Sequence, residues 1–390
     1  MSRKKIVLAL TGSVAVVRSF DLVKQLQAKG FEVEICASDG ALELIGLKTL
    51  EHLIEGKVLT EASGKVEYLK LFGKKGSADL LLIAPATANT LGKIANGVSD
   101  SIVTLCAATA LGSGKKILAA PAMHLDLWNN PVMQENLGKL KKLDVQMIAP
   151  KIEEGKAKAA ENERIVLEAE KILTEQALKG KKFLVTAGAT VEELDPVRIL
   201  TNKSSGKMGL EIAKELYRKG GEVKLIHNLV PALANPLPAE NCYPFKSFAE
   251  LENALLSNGA KADALFHAAA VGDFEVKKSR GKISSTEKLA LELQPRGKLV
   301  EAMRKKFPRM KIVGFKAETN LAGNALEKKC AEFLKRTGLQ LCVGNDVAKN
   351  EMGGEENEVV IVSAKGKTAR AKGRKGLVAQ RIVAEFEKIA

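Results

Sequence analysis

Short apolar runs alternate with amphipathic stretches along the chain. Residues 5–10 form an apolar run typical of a buried strand, which ends in Thr11-Gly12-Ser13. The apolar positions of 20–28 share one face of a predicted helix, which Gly30 ends, and 32–37 (EVEICA) predicts the next strand. We expect a βαβ unit, whose ligands bind at the carboxyl ends of the parallel strands.

The same order of predicted elements recurs in the second half. Five segments have counterparts: 4–12 and 181–188, 25–35 and 215–226, 78–86 and 262–270, 115–123 and 310–318, 143–150 and 338–345. The repeat predicts an α/β protein with two doubly wound, Rossmann-like domains and mainly parallel sheets. Common ancestry and the common rules of parallel sheets both explain it.

A charged segment with helical spacing, 151–180, lies between the halves, and Gly180 ends it. We therefore predict domains at 1–178 and 179–390. Near the end of the chain, residues 358–371 predict a hairpin around Lys365-Gly366, and a final helix begins near Leu377.

Composition narrows the class of protein. The chain has 390 residues, 61 basic and 46 acidic side chains, a net charge of +15 and 4% aromatic residues, too few for a nucleic-acid binder that stacks bases. It has no long uncharged apolar stretch, so we expect no membrane partner and a cytoplasmic location. Five scattered cysteines indicate reduced thiols, and four isolated histidines argue against a structural zinc site.

Familiar phosphate-binding motifs are absent. Neither half has GxGxxG after its first strand, and 205–208 (SGKM) lacks the upstream glycine of a P-loop. Thr11-Gly12-Ser13 lies at a predicted strand-to-helix turn, where N–H groups and a hydroxyl could hold a phosphate; taken alone, an ordinary helix cap explains this turn better.

Two motifs follow neighbouring strands of the first half, PATANT at 85–90 and PAMHLDLW at 121–128. The first suits close approach of a flat ring, whereas the second is also compatible with a packed turn. Together they closely resemble the hallmark motifs of flavin-dependent cysteine decarboxylases, over residues 1 to about 175.

The second half resembles phosphopantothenate–cysteine ligases over 181–390. The motifs are DPVR at 195–198, TNKSSGKMG at 201–209, AAAVGDF at 268–274, GKIS at 281–284, GFKAET at 314–319 and GND at 344–346. A decarboxylase followed by a ligase is the order of the bifunctional coenzyme A biosynthesis family, and EEGKAK at 153–158 resembles its archaeal members.

For the first half, the resemblance implies FMN in a pocket between the subunits of a trimer. The flavin oxidises the cysteine moiety toward a thioaldehyde, which eases loss of carbon dioxide, and then returns the hydride. The residues implied are Gly12, Ser13, Ser38 and Ser101 for the FMN phosphate, and Ala86, Thr87 and Asn89 for the ring.

This half departs from the family pattern at three places. Tyr68 stands where the family has an essential histidine, His124 replaces the usual asparagine, and residues 156–159 lack the lid cysteine of bacterial members. We hypothesise that His124 takes over part of the acid–base work. The alternative is a first domain that binds flavin but decarboxylates weakly or not at all.

For the second half, the resemblance implies that CTP, or ATP as in eukaryotic relatives, activates the carboxylate of 4′-phosphopantothenate before cysteine displaces the nucleotide. Lys282 would neutralise developing charge, Asn202 would fix the intermediate, and Arg198 would support that loop or hold an anion. Asn202 could instead cap the helix near Met208. The nucleotide partners implied are Asp273, Phe315 and Lys282, with Mg²⁺ on the triphosphate; Lys328, Lys329, Lys335 and Arg336 are further candidates.

Other functions remain open at this point. One is a flavin decarboxylase of another thiol, and another is an NADP-dependent reductase, which the absent GxGxxG disfavours. A third is a basic nucleic-acid-binding protein, suggested by Arg370, Lys372, Arg374 and Lys375. With the family assignment we expect no nucleic-acid partner, and a homo-oligomer of trimeric flavoprotein and dimeric ligase domains, with a dodecamer as one arrangement.

Overall fold

The structure is a computed structural model that describes residues 3–54, 56–284, 286, 289–321, 324–349 and 352–389. The chain divides into two compact units, residues 1–174 and 175–390, called unit 1 and unit 2 below.

Unit 1 alternates strands and helices. Its strands are β1 (Lys5–Leu10), β2 (Glu32–Ala37), β3 (Leu80–Ala86), β4 (Lys116–Pro121), β5 (Met123–His124), β6 (Gln146–Met147), β7 (Lys151–Glu153) and β8 (Lys156–Lys158). A 3-10 helix (Val14–Arg18) precedes α1 (Ser19–Ala28), α2 (Asp39–Leu42), α3 (Leu47–Glu51), α4 (Glu67–Phe72), α5 (Ala88–Ala95), α6 (Ile102–Ser113), α7 (Leu125–Asn129), α8 (Pro131–Lys142) and α9 (Asn162–Leu173).

The main sheet of unit 1 is parallel, in the order β2-β1-β3-β4-β6. Successive residues of β1 point to opposite faces. Ile6 and Leu8 pack in one cluster with residues of α1 and α9, and Val7 and Ala9 pack in another with residues of α6. Because both faces are covered, the strands read as unbroken apolar runs.

The segment between the predicted domains is helical only in its second part. β7 and β8 form a hairpin that pairs with β5, and α9 begins at Asn162. Glu154 and Gly155 have positive φ angles of 49° and 69°, which matches a two-residue hairpin turn. The prediction of a mostly helical 151–180 is therefore wrong for its first third.

The described residues of unit 2 form twelve strands, numbered on from unit 1. They are β9 (Lys182–Gly188), β10 (Val191–Glu193), β11 (Ile199–Thr201), β12 (Glu222–Asn228), β13 (Cys242–Pro244), β14 (Ala264–His267), β15 (Phe274–Val276), β16 (Leu293–Pro295), β17 (Lys311–Glu318), β18 (Leu341–Asp346), β19 (Glu356–Ser363) and β20 (Thr368–Arg374). Its helices are α10 (Lys207–Arg218), α11 (Phe248–Gly259), α12 (Leu299–Lys306), α13 (Ala325–Thr337) and α14 (Lys375–Glu387), with a 3-10 helix at Ala239–Asn241.

The eight-stranded sheet of unit 2 has the order β13-β12-β9-β14-β17-β18-β19-β20. The first six strands are parallel, and β19 and β20 continue the sheet as an antiparallel hairpin. Strands β12-β9-β14-β17-β18 occupy the places that β2-β1-β3-β4-β6 occupy in unit 1. This match confirms two doubly wound sheets with the repeated order, and the C-terminal hairpin and helix are confirmed as well.

Aromatic packing attaches the last helix to the centre of this sheet. The Phe386 ring of α14 lies 5.0 Å from Phe266 of β14 and 6.0 Å from Phe183 of β9, between ring centroids. Contacts of this kind hold the helix firmly in place.

Two further observations concern the whole chain. Within the described residues, no helix is long and apolar enough to cross a membrane. None of the five cysteines forms a disulfide, and all but the half-buried Cys242 are buried.

Candidate active sites

The crevice of unit 1 lies between β1 and β3, because the chain leaves β1 toward β2 on one side and returns to β3 on the other. Ligands of doubly wound sheets bind at such a switch point. Thr11 joins its two walls: its buried hydroxyl donates to Pro85 O at 2.7 Å and accepts from Thr87 N at 3.1 Å. The first turn and the PATANT segment are thereby fixed to each other.

The turns after β1 and β2 meet backbone to backbone. A Cβ atom on Gly12 would lie 3.1 Å from the carbonyl carbon and oxygen of Gly40. Ser13 and Ser38 flank this contact, each at the start of a short helix. The Ser13 hydroxyl accepts a long bond from Ala15 N at 3.4 Å, so the helix-cap interpretation holds for Ser13, whereas Ser38 caps nothing with its side chain. Two closely spaced turns with N–H groups and hydroxyls suit a phosphate.

The remaining predicted flavin contacts differ in exposure. Ala86 is fully buried at the end of β3, Thr87 caps α5, and Asn89 is exposed on the first turn of that helix. Ser101 begins α6, where its hydroxyl accepts from Thr104 N at 3.2 Å in a reciprocal capping box. Its hydroxyl is therefore already used by its own helix.

His124 lies where the second hallmark motif meets the β7–β8 hairpin. It is exposed and stands opposite Lys156 in the β5–β8 pair, and Leu125 N donates to Gly155 O at 3.1 Å. The hairpin is thus bound through its backbone to PAMHLDLW. Tyr68, on α4, is half-buried and packs against the apolar cluster of α6.

Unit 2 has a cavity of about 430 Å³ at its own switch point, between β9 and β14. The predicted residues Asn202, Asp273 and Phe315 line it together, as does Arg336 of the four additional candidates. Lys329 instead pairs with Glu318 at 2.9 Å.

Asn202 bridges the two loops that form this cavity. Its Nδ2 donates to Ala270 O at 3.1 Å, which links the loop after β11 to the loop after β14. Helix α10 begins at Lys207, directly after Gly206 with its φ of +82°, and Asn202 makes no capping bond to it, so the alternative that Asn202 caps this helix is wrong. A Cβ on Gly206 would lie 2.9 Å from Gly188 N, so only glycine lets the loop approach the strand this closely.

Arg198 and Asp195 hold the loop that carries Lys282. Arg198 Nη1 donates to Asp195 Oδ2 at 2.8 Å and to Ile283 O at 2.9 Å, and Ile283 N donates to Asp195 Oδ2 at 3.0 Å. Lys282, one residue earlier, is exposed. In this structure Arg198 supports the loop of Lys282, whereas the predicted support of the Asn202 loop and the predicted anion contact stay predictions.

The Asp195 carboxylate is strongly acidic. Burial raises its pKa, but hydrogen bonds from the N–H groups of Ile283, Val197 and Arg198 and from the guanidinium outweigh burial and lower the pKa to about 2. The group is therefore charged at any physiological pH.

Several cavity residues were not predicted as site residues. Burial lowers the pKa of His267 to about 4, so its ring, paired with Thr186 Oγ1 at 3.0 Å through Nδ1, is neutral at pH 7. Lys298 forms an ion pair with Asp273. Lys207, Lys316 and Lys375 complete a basic lining. No cluster of three potential metal ligands occurs among the residues that the structure describes.

The basic residues near the end of the chain do not form an open patch. Arg370 pairs with Glu327, Lys372 pairs with Glu358 at 2.9 Å, and Lys375 is buried. This arrangement weakens the nucleic-acid alternative, because phosphate backbones bind unpaired cations.

Comparison with known proteins agrees with the two-unit architecture. A family model described as "Flavoprotein" matches residues 1–174, and one described as "DNA/pantothenate metabolism flavoprotein C-terminal domain" matches 178–389. The coenzyme A biosynthesis bifunctional protein CoaBC of Thermococcus kodakarensis is 41% identical over 392 residues, which cover 99% of this chain and 95% of that protein. The chain belongs to this bifunctional family.

A second curated family member is similar over the same extent. CoaBC of Methanocaldococcus jannaschii is 34% identical and covers all of this chain and 94% of its own. Both organisms are archaea, so the archaeal resemblance is confirmed. The crystal structure of the C-terminal domain of a CoaBC is 27% identical, covers 55% of this chain and 98% of that one, and has a TM-score of 0.46.

Proposed function

We propose that the chain catalyses two consecutive steps of coenzyme A biosynthesis: ligation of 4′-phosphopantothenate to cysteine, then decarboxylation of the product to 4′-phosphopantetheine. The carrying observation is that each unit has one motif-lined crevice at its switch point, in a chain similar from end to end to bifunctional relatives. We assign decarboxylation to residues 1–178 and ligation to 179–390.

The ligation begins with attack of the substrate carboxylate on the α-phosphorus of CTP. A P–O bond forms to the carboxylate oxygen, and pyrophosphate leaves. The cysteine amine then attacks the acyl carbon, loses a proton and expels CMP, which leaves an amide. Both steps build negative charge on oxygen, so cations fixed beforehand accelerate them most.

Lys282 supplies one such cation, and its loop is held by Asp195 and Arg198. The hydrogen bond to Ala270 O fixes Asn202 against the loop after β14, and Asn202 presents its amide to the acyl-nucleotidyl intermediate. Asp273 and Phe315 hold the nucleotide. Asp273 gives up its ion pair with Lys298 when the nucleotide binds. Mg²⁺ binds through the triphosphate, as is usual for this cation.

The residues of unit 1 fit a flavin mononucleotide. The Gly12–Gly40 contact brings the turns of Ser13 and Ser38 together for the phosphate, and the buried, small Ala86 leaves a flat surface for a ring. The phosphate contact of Ser101 stays a prediction, because both its hydroxyl and its N–H are used by the capping box of α6. When bound, FMN supplies the two-electron redox chemistry that makes carbon dioxide a good leaving group.

His124 holds or moves the proton in this half. It is exposed at the motif, beside a hairpin that carries Lys156 directly opposite, so a substrate carboxylate could reach both. Tyr68 acts as a hydrogen-bond donor through its phenolic hydroxyl.

We also propose a homo-oligomer in which partner subunits complete the sites. Val14 and Val17, on the turn beside the flavin crevice, are 77% and 60% exposed. Apolar side chains that face solvent next to a site favour an interface there.

One assay tests both halves. The full chain is given 4′-phosphopantothenate, cysteine, Mg²⁺ and either CTP or ATP, and pyrophosphate, carbon dioxide and product mass are followed. We expect all three products with CTP. Pyrophosphate and the peptide without carbon dioxide would instead favour the alternative of a weak or inactive first domain.

Two variants separate the roles. Lys282→Gln should abolish most pyrophosphate release. The control is Lys278→Gln in the same loop region, where Lys278 pairs with Glu193, and this variant should release pyrophosphate normally. His124→Ala should lower carbon dioxide release and leave pyrophosphate release unchanged. Full carbon dioxide release by His124→Ala would refute the proton role of this histidine.

A further inference from the structure

A second cavity of unit 2 lies at the opposite end of its sheet from the cavity described above. Its volume is about 500 Å³, within the range of about 300–1,000 Å³ that is typical of small-molecule sites. Phe183, Asp263 and Lys311 line it at the amino ends of β9, β14 and β17. Among the described residues, the two cavities have no lining residue in common. We call this second space the amino-end cavity.

The inner wall of the amino-end cavity is apolar and partly aromatic. Phe183 and Phe386 are buried, and their rings meet edge to face with centroids 6.0 Å apart. Leu178 and Met310 are buried and line the same space. A ligand in this cavity would therefore contact hydrocarbon and ring surfaces, which favours a molecule with an apolar body.

Small residues keep the amino-end cavity open on one side. Helix α11 ends at Gly259, and Ala260 and Ala262 follow it in the lining. Phe307 packs directly on Gly259, where a Cβ atom would lie 2.3 Å from the phenylalanine ring. Protein interiors are close-packed as a rule, so a space of this size beside buried side chains indicates a binding site.

Three exposed cations line the same cavity: Lys181, Lys306 and Arg309, called the rim cations below. In the part of the chain that the structure describes, none of them forms an ion pair with a carboxylate. Lys306 Nζ lies 5.9 Å from the centroid of the Phe307 ring, so its charge is close to the apolar wall. Cations without an internal counter-charge attract an anionic group.

The other charged groups of the lining are already engaged. Lys311 is a fourth cation, and its Nζ donates to Ile389 O at 2.8 Å. Asp263 is the one carboxylate of the described lining, and its Oδ2 accepts from Lys182 N at 2.7 Å. The three rim cations are therefore the groups that remain for a ligand.

Helix ends do not account for all of this positive charge. Helices α11, α12 and α14 end beside the amino-end cavity, and basic residues commonly balance the partial negative charge of helix ends. Each end is equivalent to about half an elementary charge, so three ends and the Asp263 carboxylate together offset about two to three of the four cations. The cavity therefore keeps a positive potential.

We propose that the amino-end cavity binds an amphipathic anion, a small molecule with an acyl or aromatic body and one carboxylate or phosphate head. The body packs on the rings of Phe183, Phe307 and Phe386, and the head lies among the rim cations. A purely polar anion would leave the apolar wall without a partner, and an uncharged apolar molecule would leave the cations without one. This site goes beyond the proposed function, because it lies at the other end of the strands from the ligation cavity.

The test is calorimetric titration of the full chain, saturated with FMN and CTP so that ligands of the two proposed active sites do not compete. The probes are octanoate and octyl phosphate, and the controls are 1-octanol for the body alone and inorganic phosphate for the head alone. We expect one site per chain, with the tighter probe bound about tenfold or more above either control, the gain expected for a charge-assisted contact. Absence of binding by both probes, or 1-octanol that binds equally well, would overturn the proposal.

Two triple variants test the rim cations at equal net charge. The first carries Lys181→Gln, Lys306→Gln and Arg309→Gln and should weaken the tighter probe about tenfold. The second is the matched control and replaces three exposed lysines outside the lining, Lys179→Gln, Lys261→Gln and Lys305→Gln. It should leave the affinity unchanged. Equal weakening by both sets would mean general attraction to a basic surface, and the proposed site would be refuted.

Ala260→Phe fills the cavity without changing any charge. Ala260 is exposed directly after α11 with a φ of −62°, so the folded backbone accepts a larger side chain there. The variant should keep the thermal midpoint of the parent and lose probe binding, whereas Ser257→Phe, exposed on the same helix outside the lining, should lose neither. Full binding by folded Ala260→Phe would contradict the location. If Ala260→Phe lowers the midpoint, the triple variants decide.

The site and the proposed function can fail separately. Lys282→Gln, which should lose ligation, should bind octanoate and octyl phosphate as the parent does. Probe binding that falls in Lys282→Gln would place the probes in the ligation cavity and overturn the proposal of a separate site.

Discussion

Gly12 is the residue on which the shape of the flavin crevice depends most. Any side chain there would press on the backbone of Gly40, since even a Cβ atom would lie at 3.1 Å. We expect Gly12→Ala to separate the two turns, to lower the free energy of unfolding by about 1–3 kcal/mol and to weaken FMN binding. Flavin fluorescence quenching measures the affinity. Gly64→Ala, at an open position, is the control, and equal behaviour of the two variants would contradict this expectation.

Asp195 holds the loop that carries Lys282 through Arg198 and Ile283. Asp195→Asn keeps the shape of the side chain but loses the charge that binds Arg198 and Ile283, so kcat for ligation should fall with little change in KM. Lys282→Arg in the same background should not restore activity, because the loop itself is displaced. Glu332→Gln, on the exposed face of α13, serves as the control.

The same residue gives a pH signature. Because its folded-state pKa of about 2 lies below the ordinary value near 3.9, its contribution to stability is complete above pH 4 and is lost as the pH falls toward 2. Acid unfolding monitored by circular dichroism should show a smaller loss between pH 4 and pH 2 for Asp195→Asn. Parallel curves for the parent and the variant would exclude this role.

At the residue scale, cavity residues that belong to sequence motifs could be predicted from the sequence. Cavity residues that lie outside any motif, and reach the cavity only because of the fold, could not. Asn202, Asp273 and Phe315 belong to motifs and share one cavity. Lys375 lies in a basic run whose sequence predicts solvent-exposed side chains. Only the turn from β20 into α14 directs Lys375 inward. His267 stands alone in the sequence, and its neutrality comes from burial.

The turn of the β7–β8 hairpin is sensitive to substitution. Gly155 has a φ of +69°, and its carbonyl accepts from Leu125 N. Gly155→Val should destabilise the turn by about 1–2 kcal/mol, because branched side chains disfavour the left-handed region. Carbon dioxide release should fall, ligation should persist, and the fluorescence of Trp128, on the adjacent α7, should shift.

Glu154→Gly is the matched control for the hairpin. Glu154 already has a positive φ of 49°, so glycine relieves strain there and decarboxylation should be retained or improved. If Gly155→Val left carbon dioxide release intact, the hairpin would have no part in the first site.

Strands could be predicted from the sequence where both faces of the strand are buried. Parallel strands covered on both faces appear as apolar runs, so all five repeated strands could be placed. The β7–β8 hairpin could not, because its residues are mainly lysine and glutamate, its turn lacks the usual Asn-Gly pair, and its charges resemble those of a solvated helix.

On the scale of the molecule, each unit has its own core. The clusters around β1 and around β9 share no residue, and the division falls after Thr174. Residues 1–174 and 175–390 expressed separately should therefore both fold: the first should bind FMN, and the second should release pyrophosphate and form the peptide. A cut after residue 100, which separates β3 from β4, is the control and should abolish folding of unit 1. Unfolded separate units would contradict the division.

The edges of the unit 2 sheet have a consequence for how the protein behaves in a crowded solution. An open edge strand offers unpaired N–H and C=O groups to any other chain. One edge here, β13, has three residues and ends in Pro244, and the other, β20, carries Arg370, Lys372 and Arg374. A second copy that tried to extend the sheet would meet a proline at one side and, at the other, charged side chains that it would have to desolvate, two of them paired with Glu327 and Glu358. The charged residues of this edge thus protect the folded protein against aggregation, and no ligand is needed to explain them.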